Sequence, residues 1–150
     1  MDGPQIAATL DRAEAICHAR GARLTAQRRR VLELVLRAGR PLGAYELLDA
    51  LRREGGGAGP PTVYRALEFL VAHGLVHRIE TLHAFVGCDH PGELHAGQFL
   101  ICRDCGAVHE VEDLAVSRSV LAAADASGFA AEHPVVEIQG RCARCAGAAR

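Results

Sequence analysis

The stretch PPTVYRALEFLVAHGLVHRIETLHAFVG, residues 60–87, changes its apolar period within a few residues, and that change decides the fold of the front half. Pro60 and Pro61 suit the first turn of a helix, where a missing N–H costs nothing. Val63, Ala66, Leu67, Leu70 and Val71 then recur on one helical face until Gly74 stops it. Next come two short β patterns, Leu75–Ile79 and Leu82–Val86, with Glu80 and Thr81 expected to form a tight hairpin between them. A helix followed at once by a hairpin reads as the recognition helix and wing of a winged helix-turn-helix. Thr62, Tyr64, Arg65 and Glu68 fall off the apolar face, where the choice lies between a solvated face and a surface that reads a partner.

Upstream of this stretch the chain supplies three further helical patterns. Gln5–Ala19 carries Ile6, Leu10, Ala13, Ile16 and Cys17 on one side and ends at Gly21. Thr25 is placed as an N-cap for a second helix filled by Val31, Leu32, Leu34, Val35 and Leu36, which Gly39 and Pro41 end. Tyr45, Leu47, Leu48 and Leu51 mark a third, up to Arg53, and Gly55–Gly59 reads as an exposed loop.

Downstream the texture changes to short strands, at Phe99–Cys102, Ala107–Val111 and Val135–Ile138, with a helix expected over Leu114–Ser127. This is a separate α/β unit with too little apolar content to stand alone, so a staple, a partner subunit or both are expected. The expected division is a winged-helix domain over residues 1–83, a hinge over 84–90 and a rear domain over 91–150. The fold class is therefore α+β.

Charge follows the same division. All 17 basic residues are Arg, and the formal net charge is only −1. Residues 1–80 hold 12 Arg against 9 acidic residues, a net of +3, whereas residues 81–150 come to −4. Arg23, Arg28, Arg29 and Arg30 form a local cluster that reads as able to meet phosphate without a basic pI. No apolar run approaches the ~18 residues of a membrane span, and MDGPQIAATLDRAEA lacks the regions of a signal peptide. A cytoplasmic protein is expected, with no membrane partner.

The cysteines supply the staple. Cys102-x-x-Cys105 and Cys142-x-x-Cys145, separated by 36 residues, are the spacing of a closed four-thiolate zinc site, with thiol exchange as the rival use. Cys17 lies on an apolar helix face and reads as core. Cys88 sits in the link, with His77 upstream in the wing and His95 and Glu110 downstream. Nitrogen, sulfur and carboxylate ligands suit zinc, yet each residue also has an ordinary reading: a wing histidine, a loop thiol, a surface histidine, a solvated carboxylate.

PPTVYRALEFL and HGLVHRIE, followed by FLICRDCGAVHEVE and GRCARC, closely resemble the ferric uptake regulator superfamily over almost the whole chain. Within it, AEAICHARGARLTAQRRRVLELVL and AYELLDALR look most like the zinc uptake regulator branch. The resemblance implies an N-terminal winged-helix DNA-binding domain and a small α/β dimerisation domain stapled by zinc. It implies a homodimer that, with zinc as co-repressor, binds double-stranded operator DNA and represses zinc-uptake genes. Two zinc ions per subunit follow: a structural ion on Cys102, Cys105, Cys142 and Cys145, and a regulatory ion on His77, Cys88, His95 and Glu110. Tyr45, Thr62, Tyr64 and Arg65 are the DNA contacts it implies.

An iron or peroxide sensor on the same scaffold is the alternative, but such a site uses oxygen and nitrogen ligands, and Cys88 counts against it. Iron-type members carry a dense His-x-Asp-His run before the first C-x-x-C. Here His90 and His95 are followed by Ala96, Gly97 and Gln98, and His83, His109 and His133 are scattered, so no third metal site is expected. No enzyme is expected either, because four protein ligands leave no open position on the ion for a substrate.

Overall fold

The structure is a computed structural model that describes residues 1–57, 59–93, 95 and 97–147. The chain divides into two compact units, Met1–Glu93 and Leu94–Arg150.

The front unit holds helices α1 (Gly3–Ala19), α2 (Ala26–Ala38), α3 (Ala44–Arg53) and α4 (Pro60–Ala72), then strands β1 (Val76–Ile79) and β2 (Ala84–Gly87). Each helix starts where the local chemistry permits. Asp2 caps α1 by accepting from the Gln5 N–H while the Gln5 side chain accepts from the Asp2 N–H, so the helix begins two residues before its expected start. Thr25 caps α2 through the Arg28 N–H, and Gly39 ends it in the left-handed region at φ +60°. Glu46 reaches back to the Gly43 N–H at the start of α3, and α4 opens on its two prolines.

The apolar faces read from the sequence meet in one core, except for Tyr45 on α3 and Val71 on α4, which stay exposed. Val31, Leu32, Leu47, Val63, Leu67 and Leu70 are each at most 1% exposed, together with Cys17 at 0%. Burying one such leucine contributes roughly 1.5–3 kcal/mol. Burial also pushes the Cys17 thiol pKa up, as for a core residue.

The wing differs from the expected two-residue hairpin. β1 and β2 pair antiparallel with Ile79 opposite Ala84 and Val76 opposite Gly87. Glu80–Leu82 form a 3₁₀ turn, closed by His83 at φ 48°. The second strand therefore begins two residues later than the apolar pattern suggested. A non-glycine residue in the left-handed region gives no sequence signal of a turn. A bridge between Leu42 and Phe85 adds a one-residue third strand to the wing.

The rear unit is a three-stranded sheet ordered β4-β3-β5, made of β3 (Gly97–Cys102), β4 (Val108–Val111) and β5 (Val135–Gly140). β3 runs antiparallel to β4 and parallel to β5. The parallel pairing requires a crossover, which α5 (Leu114–Ala126) provides. Asp113 caps α5 by accepting from the Ala115 and Val116 N–H groups. A short helix α6 (Ala143–Gly147), absent from the sequence reading, follows Cys142.

Burial in this unit is confined largely to β3, at Gln98, Phe99, Ile101 and Cys102. No residue of α5 is buried. Leu114 (63%), Phe129 (68%) and Ile138 (53%) stay exposed.

Candidate metal centres and nucleic-acid interface

The rear unit gathers four thiols at one end of its sheet. Cys102 ends β3, and Cys105 sits in the turn that follows, which Gly106 closes at φ +72°. Cys142 and Cys145 flank and occupy α6, so the second pair comes from one tight turn of chain. The Arg103 N–H donates to the Gly140 carbonyl, which ties the two C-x-x-C segments together. The four Sγ atoms lie within 4.8 Å of one another; Cys105 and Cys142 are 3.9 Å apart.

Protons cannot be shared evenly in such a cluster. Donation from the Cys142 N–H (3.3 Å to Sγ), and next from that of Cys105, lowers the Cys102 pKa to about 6. The neighbouring Cys142 thiol, more than burial, pushes Cys145 up to about 12. Four thiolates at this separation repel one another unless a cation stands among them, and an all-sulfur set of four fits a tetrahedral zinc ion. Arg141 backs the cluster from outside, bonded to Asp104 at 2.6 Å and to the Cys145 carbonyl at 2.9 Å.

The other expected ligands form two pairs, one in each unit. In the front unit His77 lies on β1 opposite Val86, and Cys88 follows β2 with its N–H donating to the Leu75 carbonyl. That bond carries the ladder one step past the strand and brings the Cys88 sulfur and a His77 ring nitrogen within 4.8 Å of each other. Cys88 is 2% exposed. In the rear unit His95 Nε2 lies 2.7 Å from Glu110 Oε1, and both side chains are 7% exposed. An imidazole and a thiol, and an imidazole and a carboxylate, are each half of a four-coordinate zinc shell. His83, His109 and His133 are exposed and, among the described residues, join no cluster of three or more ligand-type side chains.

The front unit also presents a polar helix face. Along α4, Val63, Ala66, Leu67 and Leu70 point into the core, whereas Thr62, Tyr64, Arg65 and Glu68 are exposed. Tyr45, in the first turn of α3, is 70% exposed. Large aromatic side chains left in solvent beside an outward arginine suit contact with a nucleic-acid backbone and base edges.

The expected basic cluster on α2 is differently employed. Arg29 bonds Asp11 at 3.0 Å and Glu14 at 3.3 Å. Arg30 bonds Glu33 at 2.5 Å and also pairs with Glu54. Arg28 lies 3.7 Å over the Phe69 ring. Two of the four arginines, Arg29 and Arg30, are thus compensated by carboxylates of the same unit, while Arg23 is exposed. Glu33 lies on α2 itself, whereas Asp11 and Glu14 come from α1 and Glu54 from the end of α3, too far along the chain for local reading to pair them.

No helix among the described residues is long and apolar enough to cross a membrane. The zinc uptake regulation protein of Escherichia coli K12 is 43% identical over 139 residues, covering 91% of this chain and 80% of that protein. A solved structure of a zinc uptake regulator complexed with zinc and DNA superposes with a TM-score of 0.88 at 41% identity, covering 96% of this chain and 97% of that one. The crystal structure of holo XcZur gives 0.86 at 45% identity, covering 92% and 96%. The pattern of the ferric uptake regulator family matches residues 19–139, and with this coverage the chain belongs to the ferric uptake regulator family.

Proposed function

We propose that this protein is a zinc-responsive transcriptional repressor whose homodimer binds double-stranded operator DNA when zinc is available and so represses zinc-uptake genes. The observation that carries this reading is the pairing of two distinct ligand sets with a helix-turn-helix in one chain. The all-thiolate set serves structure, and the mixed set serves sensing. Relatives named as zinc uptake regulators, 41–45% identical over nearly the full length, support the same assignment.

The residues divide the work by chemistry. Cys102, Cys105, Cys142 and Cys145 would hold a structural zinc that joins the strand end of β3 to α6. His77 and Cys88 from the front unit, with His95 and Glu110 from the rear, would hold the regulatory zinc, giving two ions per subunit. Zinc bound there supplies a link between the DNA-reading unit, residues 1–83 with the connection over 84–90, and the dimerising unit that follows. His77 and Cys88 anchor that link to the wing, directly beyond α4. A coupling of ~1–3 kcal/mol per subunit changes affinity ~5- to 150-fold, so loading both subunits sharpens the response.

Arg65 reads a guanine edge or phosphate, Tyr64 a thymine methyl or backbone, and Thr62 and Tyr45 contact phosphate. The exposed apolar residues of the rear unit, Leu114, Leu121, Phe129 and Ile138, are the surface a second subunit covers. A repressor of this kind acts in the cytoplasm, where its operator is, and takes no substrate beyond the metal ion. Four protein ligands at each ion leave no site for catalysis.

Operator binding measured at fixed salt with zinc, ferrous iron or manganese tests the reading. Zinc alone should tighten binding at low free metal. Tightening by iron or manganese but not by zinc would give the scaffold to an iron or peroxide sensor.

A further inference from the structure

Gln98 is the most deeply buried polar residue among the described residues, at 2% exposure on the central strand β3. An amide in that position is costly unless every hydrogen-bonding group finds a partner, and here the partners share one place. The Asp113 N–H donates to Gln98 Oε1 at 3.2 Å. Gln98 Nε2 donates to the Asp113 carbonyl at 2.9 Å and to Ser117 Oγ at 2.7 Å. The amide orientation is fixed by these partners, since the Asp113 N–H must face an oxygen.

The side chain thus bonds both main-chain groups of Asp113, as a neighbouring strand would. In the sheet Gln98 pairs with Val111, the last residue of β4. The clasp therefore extends the ladder two residues past the strand end and steers the chain into α5. Because α5 buries no residue of its own, its first turn depends on this attachment and on the Asp113 cap.

Each end of the clasp stands three residues after a proposed regulatory ligand: His95 before Gln98, and Glu110 before Asp113. The rung next to Gln98 and Val111 is Phe99 with Glu110. We propose that Gln98 is a positioning residue for the regulatory zinc site: by clasping Asp113 and Ser117 it fixes the exit of β4 and holds the Glu110 carboxylate against His95. This rests on the reading of His95 and Glu110 as regulatory ligands. Supporting bonds behind metal ligands change affinity by ~10- to 100-fold when lost, and an indirect clasp belongs at the lower end.

The test uses the full chain and zinc itself, titrated against a chromophoric chelator, in the parent and in Gln98→Met, Ser117→Ala, Ile101→Val and Glu110→Ala. Gln98→Met keeps the length and removes the amide. It should bind the second zinc about tenfold more weakly while holding the first as the parent does. Ser117→Ala removes one bond of the three and should lose about two- to threefold. Ile101→Val loosens the same strand without touching the clasp and should leave the second zinc unchanged.

If Gln98→Met stays within twofold of the parent, or Ile101→Val weakens the second zinc as much, the positioning role is overturned. Should Gln98→Met fail to fold, Ser117→Ala decides, and no change there overturns it too. Glu110→Ala separates the two claims, because an unaltered second zinc in that variant removes the ligand reading itself.

Discussion

The two units solve the problem of stability in opposite ways. The front unit wraps four helices around a continuous apolar core that includes Val31, Leu32, Leu47, Leu67 and Leu70. Among its described residues the rear unit buries little beyond Gln98, Phe99, Ile101 and Cys102 of β3, and no residue of its helix α5 is buried. Small α/β units with so thin a core require metal, a partner or both. The contrast fits a tetrathiol set in the rear unit, and a front unit whose core leaves the outer face of α4 exposed for the recognition proposed above. Stability in one half comes from packing, and in the other it would come from the proposed ligation and assembly.

Substitutions should break this contrast in a graded way. The largest effect is expected from Cys102→Ser, which takes one thiolate from the staple. Structural zinc supplies ~10–16 kcal/mol of apparent folding free energy in small domains, far more than the rear core can replace. The variant should lose its structural zinc and its dimer while keeping the helical signal of the front unit. Mass measurement beside circular dichroism reads both, and a zinc-free variant that remains a folded dimer would show that the rear unit does not depend on the staple.

Leu67→Ala should act on the other half. It opens a cavity in the front core and should cost about 2–5 kcal/mol there. Thermal melting should show the front transition displaced downward, with zinc retention by the tetrathiol set unchanged. Equal displacement of both transitions would mean that the units do not fold separately.

The smallest expected effect is electrostatic. Arg37, and next Arg30, hold the Glu33 carboxyl below the usual carboxylate range. A carboxyl whose pKa is depressed by folding adds stability at pH values above its ordinary value, ~4.3, and loses it as pH falls through the folded value. The pair is near the surface, so the contribution is below ~1 kcal/mol. The stability gap between the parent and Glu33→Gln should therefore shrink on going from pH 6 to pH 3. A gap that is constant across that range would leave Glu33 with no electrostatic role.

How much of this was legible follows from the range of each interaction. Val63, Ala66, Leu67 and Leu70 declared α4 because a helix face is written in local spacing. The C-x-x-C pairs declared themselves because each pair brings two ligands from adjacent turns of chain. Gln98 did not, since a polar residue on a strand reads as facing water until its partners at Asp113 and Ser117 are brought near. Arg29 read as a free charge for the same reason, its carboxylates coming from α1, and the distant partner of Arg30, Glu54 at the end of α3, was hidden likewise, although Glu33 stands only three residues away. His83 gave no turn signal because its left-handed backbone lacks the glycine or asparagine that usually marks one.

If one set of residues holds the structure and another senses the metal, Cys88→Ser should separate the two. Cys88 belongs to the front unit, so its loss leaves the tetrathiol staple and the rear sheet untouched. The measurement is operator affinity as a function of free zinc, with dimer mass and bound zinc determined on the same samples. The variant should be a folded dimer that keeps one zinc per subunit and whose DNA affinity no longer rises with added zinc. A Cys88→Ser variant that tightens on its operator with zinc as the parent does would return Cys88 to the role of a buried loop thiol and contradict the account.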